Sequence, residues 1–227
     1  MTVMPVAYRF IGAVAALEDP VRRALYELVS SRHPTPIGRD EAAAATGIGR
    51  SLAAFHLDRL VTVGLLQASF RRPDGRGGPG AGRPAKFYAR SQETVEVSLP
   101  ERDYVLAARL MLAALNHPGH SLEAVAMARG TQLGKAATGA RSQQRKLEKL
   151  LARHGYEPVV EQSGNVRLRN CPFDALVAEG QVSVCQMNLK LLQGLLEGAG
   201  LTGFEARLVP EPGLCCVTLA HAQAPAP

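Results

Sequence analysis

The stretch Gly49–Leu66, GRSLAAFHLDRLVTVGLL, decides how the first half of the chain is read. Its apolar residues recur at helical spacing, yet they occupy two faces. With Leu57 at zero on a wheel of about 3.6 residues per turn, Ala53, Leu60, Val61 and Gly64 fall within roughly 60° of it. Ser51, Leu52, Phe55, Arg59 and Thr62 lie on the far side, and His56 lies on the flank. A helix that serves only its own core has no use for a phenylalanine among arginine and hydroxyls.

The neighbouring segments give this helix a context. Asp19-Pro20 reads as an N-cap followed by proline in the first turn, opening a helix with Val21, Leu25, Leu28 and Val29 on one face. Asp40–Thr46 is a short Ala-rich helix, and Gly47-Ile48-Gly49 is a tight turn. Helix, short helix, glycine turn and helix is the order of a helix-turn-helix. Leu65–Arg72 and Arg83–Arg90 then read as strands around the loop PDGRGGPGAG, which makes a wing. From Arg71 to Arg90 there are six basic residues against one acid, a charge suited to a phosphate backbone.

A recognition helix buries one stripe and offers the other to the major groove. On the offered face an apolar side chain can press on a thymine methyl while arginine reads guanine. Arg50, Ser51, Phe55, His56 and Arg59 are therefore the expected base or groove contacts, and Arg76, Arg83 and Lys86 the expected wing contacts. The competing readings are Phe55 packed on the wing or a neighbouring helix, Arg59 in a salt bridge with Asp58 or Glu41, and a winged helix used only for protein contacts.

The whole chain has 227 residues, 46% hydrophobic and 20% charged, with net charge +6. That is enough for one large domain or two small ones. The pI of about 9.4 favours polyanionic partners. No apolar run approaches the ~20 residues of a membrane helix, and the FIGAVAAL run after Arg9 is too short for a signal peptide. A cytoplasmic location with no membrane partner is expected. The expected fold is α+β: a winged helix-turn-helix domain over 1–95, dimerisation helices over 98–154, a small α/β sensor domain with antiparallel strands over 155–220, and a disordered tail over 221–227. Ser98-x-x-Glu101 reads as the capping box of the first dimerisation helix, and Ser183 as the cap of a helix running to Glu197.

The segments EDPVRRALYELV (18–29), FHLDRLVTVGLL (55–66) and GPGAGRPAKFY (78–88) resemble winged-helix transcription regulators near the ArsR group. With NCPFDAL (170–176), VSVCQMN (182–188) and PEPGLCCVTL (210–219), the resemblance is to the SufR-like branch of iron–sulfur-sensing repressors and spans nearly the whole chain. It implies a homodimer bound to double-stranded DNA at a palindromic operator, acting as a repressor.

The chain's four cysteines, Cys171, Cys185, Cys215 and Cys216, all lie in its last quarter. In a reducing compartment a structural disulfide is not expected. Cys171 before Pro172 and Cys185 after Ser183 sit at expected helix starts, where the dipole favours thiolate. Cys215 and Cys216 are adjacent on an expected strand and should point to opposite faces, so that only one joins the others. Three thiolates with an open position suit a [4Fe–4S] cluster better than zinc, which favours closed sets with C-x-x-C pairs. The resemblance assigns the cluster to three such cysteines. It also departs there, since Asp174 stands where close relatives have histidine. The alternatives are ordinary or redox-sensing thiols, and a regulator controlled by a small-molecule ligand. An enzyme is not expected: Cys171 with His154 or His221 is the one conceivable thiol pair, and no Ser-His-Asp or nucleotide-loop signature is present.

Overall fold

The computed structural model describes residues 10–71, 84–117, 119–137 and 142–221. The chain is mixed α+β, with eight helices and seven strands among the described residues. It divides into two compact units, Met1–Val97 and Ser98–Pro227. Among the described residues no helix is long and apolar enough to cross a membrane.

In the first unit, α1 (Ile11–Ala16) precedes α2 (Pro20–Ser31). The Asp19 carboxylate caps α2 by accepting the Arg22 amide at 2.9 Å. A two-residue strand β1 (Ile37–Gly38) leads into α3 (Arg39–Thr46). Gly47 ends α3 in the left-handed region (φ 68°), which costs a glycine little. The next helix, α4 (Arg50–Thr62), is followed by β2 (Leu66–Arg71) and β3 (Ala85–Arg90). β2 and β3 pair antiparallel from Leu66↔Arg90 to Arg71↔Ala85, and β1 adds to the other edge of β3. Leu25, Ile37, Leu57, Leu60, Leu66 and Tyr88 form the core that these elements share.

The second unit opens with α5 (Tyr104–Asn116), capped by Asp103 accepting the Leu106 amide at 2.8 Å. The expected box at Ser98 is not used. The Ser98 hydroxyl donates instead to the Pro100 carbonyl, and the chain does not become helical until Tyr104. α6 (Leu122–Lys135) and α7 (Gln143–Arg153) are capped by Ser121 and Ser142. Gly155 (φ 79°) turns the chain after α7 into β4 (Pro158–Val160) and β5 (Val166–Leu168). α8 (Asp174–Ala199) bends at Gly180, where backbone angles leave the helical region, so Ser183 lies inside the helix and caps nothing. β6 (Phe204–Leu208) and β7 (Val217–His221) complete an antiparallel sheet of order β4-β5-β7-β6. His221 is the last residue of β7, opposite Phe204, and is not part of a tail; residues 222–227 lie outside the described residues.

Residues 98–154 and 155–220 do not form separate domains. Ala107, Leu110, Leu147 and Leu151 of the helices share one core with Val166, Leu168 and Leu219 of the sheet. The centre of this unit is the pairing of α6 with α8. Gly130 and Gly134 are four residues apart on α6, and so are Gly194 and Gly198 on α8. A β-carbon on Gly130 would run into the Leu191 carbonyl, and one on Gly134 into that of Leu195. One on Gly194 would meet the Met127 carbonyl, and one on Gly198 that of Thr131. The two backbones therefore touch along two turns, with the helices running in the same direction.

A Gly194→Ala chain is expected to lose about 3 kcal/mol, because the added methyl must push the paired backbones away from each other. Gly12→Ala, whose β-carbon meets nothing within 4 Å, is expected to be neutral or stabilising by about 0.5 kcal/mol. Equilibrium denaturation of both variants beside the parent checks the contrast.

Candidate functional site

Two places concentrate the residues singled out in the sequence: the outer side of α4 and a pocket lined by cysteines. On α4, Ala53, Leu57 and Leu60 are fully buried, whereas Leu52 is 45% and Phe55 64% exposed. Ser51 and Arg59 are exposed beside them. Phe55 therefore packs on neither the hairpin nor another helix. Arg59 forms no ion pair or side-chain hydrogen bond among the described residues, and Glu41 is paired with Arg32 at 3.9 Å instead. Arg50 holds Asp40 at 2.6 Å across an open surface, a contact that screening makes weak. The Thr62 hydroxyl donates back to the Asp58 carbonyl of its own helix at 2.9 Å.

Two of the expected contacts are placed differently. His56 is only 7% exposed, because it lies one turn after Ala53 and one before Leu60 and so joins the buried stripe. Its Nδ1 is buried without a partner, and its ring meets Phe55 edge-on at 5.2 Å. It cannot reach a groove. Lys86 is held on its own domain: its ammonium donates to Asp58 at 2.5 Å and sits 5.4 Å from the Tyr88 ring centre. The Tyr88 hydroxyl donates to the same Asp58 oxygen at 2.9 Å. Burial works to raise the Asp58 pKa, but the two donors outweigh it and hold the carboxyl below its usual range. Arg76 and Arg83 lie outside the described residues.

The second place is a pocket of about 290 Å³ whose lining includes all four cysteines with Asp174 and Gln181. The cysteines come from three local structures. Cys171 follows β5 and is fixed through its neighbour: the Asn170 amide donates to the Glu101 and Gly155 carbonyls at 2.7 and 2.5 Å. Arg102 donates to the Cys171 carbonyl at 2.9 Å and reaches Asp174 at 3.4 Å. Cys171 stands ahead of α8, whose N-cap is Phe173, and not at the cap itself. Cys185 lies beyond the bend at Gly180, in the second segment of α8.

Cys215 and Cys216 precede β7, which begins at Val217. Without strand geometry the expected alternation of faces does not apply, and both side chains line the pocket. Cys185 and Cys216 are joined as a disulfide, with α-carbons 6.3 Å apart. The expectation that all four remain thiols is thus not met. They come close because one lies on α8 and the other on the loop that enters β7, and both elements belong to one core.

Cys171 and Cys215 are free, buried thiols that hydrogen-bond to each other. The bond from Cys215 is the main influence lowering the Cys171 pKa, helped by the Phe173 amide and opposed by burial. The same contact and burial push the Cys215 thiol far up. The shared contact thus favours the thiolate at Cys171 and the thiol at Cys215. Two residues that the sequence did not single out complete the centre. The Asn188 amide donates to the Cys215 sulfur at 3.3 Å, and the Tyr156 hydroxyl donates to the Asn188 oxygen at 2.5 Å. The signal for Asn188 was present: an asparagine three residues after Cys185, in register with apolar Leu191 and Leu192.

With the disulfide formed, no group of three or more histidine, cysteine or acidic side chains is poised to hold a metal ion among the described residues. Reduced, the same pocket presents four thiols, which is the donor chemistry of an iron–sulfur cluster. Neither His154 nor His221 is among the side chains that line it.

Compared with family models, with curated proteins and with solved structures, the chain matches none.

Alkylation by iodoacetamide, followed residue by residue with mass spectrometry, is expected to modify Cys171 with a half-point below that of an ordinary thiol. Cys215→Ala removes the donated hydrogen bond and should move that half-point upward. An unchanged profile would show that the pair does not control Cys171.

Proposed function

We propose that the chain is a cytoplasmic, homodimeric, sequence-specific DNA-binding transcription regulator whose first unit is a winged helix-turn-helix. α3, the Gly47–Gly49 turn and α4 are the helix-turn-helix, and β2 and β3 the wing. One observation carries this reading: α4 keeps Leu52, Phe55 and Arg59 in solvent while Ala53, Leu57 and Leu60 hold it to its own core. A side-chain set with one arginine, one hydroxyl and two apolar groups is what base edges in the major groove accept. Arg59 is the direct reader, Phe55 and Leu52 press on thymine methyls, and Ser51 adds a hydrogen bond. Arg50 sits at the helix entry and contacts phosphate once released from Asp40. The basic segment between β2 and β3, with Arg72, Arg76 and Arg83, supplies phosphate contacts by its charge.

The dimer is formed through α5. Val105, Leu112 and Leu115 are 50%, 56% and 78% exposed and follow one another at helical spacing. A second copy of the same helix buries them symmetrically.

The cysteine pocket sets the state of the regulator. Oxidation joins Cys185 to Cys216, and reduction by an external dithiol returns two protons and two electrons and leaves four thiols. In that form Cys171, Cys185 and one of Cys215 or Cys216 would hold a [4Fe–4S] cluster, with zinc as the second choice. A bound cluster supplies an oxygen-sensitive, redox-active centre. This chain's own role is to favour the thiolate at Cys171, to donate to Cys215 through Asn188, and to keep the sulfurs buried. Asp174 lines the same pocket and would offer an oxygen donor at the open position, where the resembling relatives have an imidazole.

Selection of bound duplexes from a random pool, followed by titration, tests the DNA reading. Arg59→Ala is expected to weaken the selected site by roughly 5- to 150-fold and to relax one base position. Retention of affinity by an Arg59→Ala, Phe55→Ala double variant would overturn it. Leu112→Glu with Leu115→Glu is expected to give a folded monomer in sedimentation and to lose the palindrome preference. Iron and sulfide added to the reduced protein without oxygen should give a brown chromophore with about four iron atoms per chain. A colourless product from the parent chain would remove the cluster and leave the thiol–disulfide change as the sensing chemistry.

A further inference from the structure

α5 and α6 diverge around a groove of about 560 Å³ that has no share in either site above. Its floor and walls are apolar, with Leu106, Leu110, Ala113 and Val125 among them. That volume lies in the range that takes a small organic ligand. The polar portion of the lining is one-signed: Arg109 and Arg129 reach the groove, and no aspartate or glutamate does. Arg109 makes no ion pair or side-chain hydrogen bond among the described residues, and Arg129 donates only to the neutral Gln132 amide, at 3.2 Å. His117 and His120 close one end, their rings edge-to-face at 5.9 Å.

From this combination we infer that the groove binds an amphipathic organic anion, a monocarboxylate with an aromatic or short acyl body. The body lies on Leu106, Leu110 and Val125, and the carboxylate is taken by the guanidinium forks of Arg109 and Arg129. Arginine matches a carboxylate with paired hydrogen bonds, and a half-enclosed apolar setting strengthens them. A neutral ligand would leave both cations without a counter-charge. A second copy of the chain fits less well. Two-fold packing of this face would gather four guanidiniums in one interface with no acid among the lining residues. The exposed stripe of Val105, Leu112 and Leu115 is a separate face, on the other side of α5 from Leu110. This inference stands apart from the DNA reading and is tested without DNA.

The test uses the full chain and two fluorescent probes, anionic 8-anilinonaphthalene-1-sulfonate and neutral N-phenyl-1-naphthylamine. The sulfonate should bind saturably at one site per chain and be displaced by 1-naphthoate at a concentration at least about tenfold lower than by 1-naphthalenemethanol. Arg109→Gln with Arg129→Gln should weaken the sulfonate at least about tenfold and leave the neutral probe unchanged. Ala128→Trp, at an exposed lining position, should abolish both signals without altering thermal melting or sedimentation. Undiminished sulfonate binding in the double arginine variant overturns the inference. So does a probe signal that survives Ala128→Trp, or failure of naphthoate to compete. Conversion of a dimer to a monomer by Ala128→Trp would assign the groove to a second copy and also overturn it.

Discussion

Direct contact between the backbones of α6 and α8 is the constraint on which the second unit rests. Four glycines remove the side chains that would keep the two helices apart, and the carbonyls of Leu191, Leu195, Met127 and Thr131 occupy the space. Close approach brings Leu191, Leu192 and Leu195 of α8 into the same core as Ala126 of α6. It also fixes the segment of α8 that carries Cys185 and Asn188. The sheet then has one face to cover, and β7 delivers Cys215 and Cys216 to the end of that segment. The cysteine centre is thus a product of helix packing, since no local motif holds its members together.

The centre divides its four sulfurs into two pairs with different chemistry. Cys185 and Cys216 are joined as a disulfide, whereas Cys171 and Cys215 are thiols in contact with each other. Both pairs are deeply buried, so their chemistry is governed by protein dipoles more than by water. The outer side of α4 in the first unit follows the opposite principle. Leu52, Phe55 and Arg59 stand in solvent, and the residues beneath them, His56 included, are buried.

Much of the fold was legible in the sequence where the signal was local. The Asp19 cap, the Gly47 turn, the buried stripe of α4 and the hairpins about Gly164 and between residues 209 and 214 follow from residues near one another in the chain. The failures were of another kind. Ser98 was read as the cap, whereas Asp103 takes that place, a choice made by the surroundings. His56 was placed on the flank because a wheel does not show how wide the buried stripe is. The glycines of α6 and α8 could be seen at their spacing, but which helix faces which is a long-range fact. The same holds for the disulfide. Cys185 and Cys216 are 31 residues apart, and adjacency of Cys215 to Cys216 suggested alternation that only a regular strand imposes. Lys86 shows the limit for charge patterning: counted as a free cation in a basic run, it is neutralised by Asp58 from a helix 28 residues earlier.

The amide of Asn188 has a further meaning. Its oxygen is taken by the Tyr156 hydroxyl, so its nitrogen is the end left for the sulfur of Cys215. The carboxamide is polarised in one sense and cannot turn over without stranding a phenol in the core. The amide dipole thus points its positive end at Cys215, and an uncharged side chain sets the polarity of the wall behind the thiols.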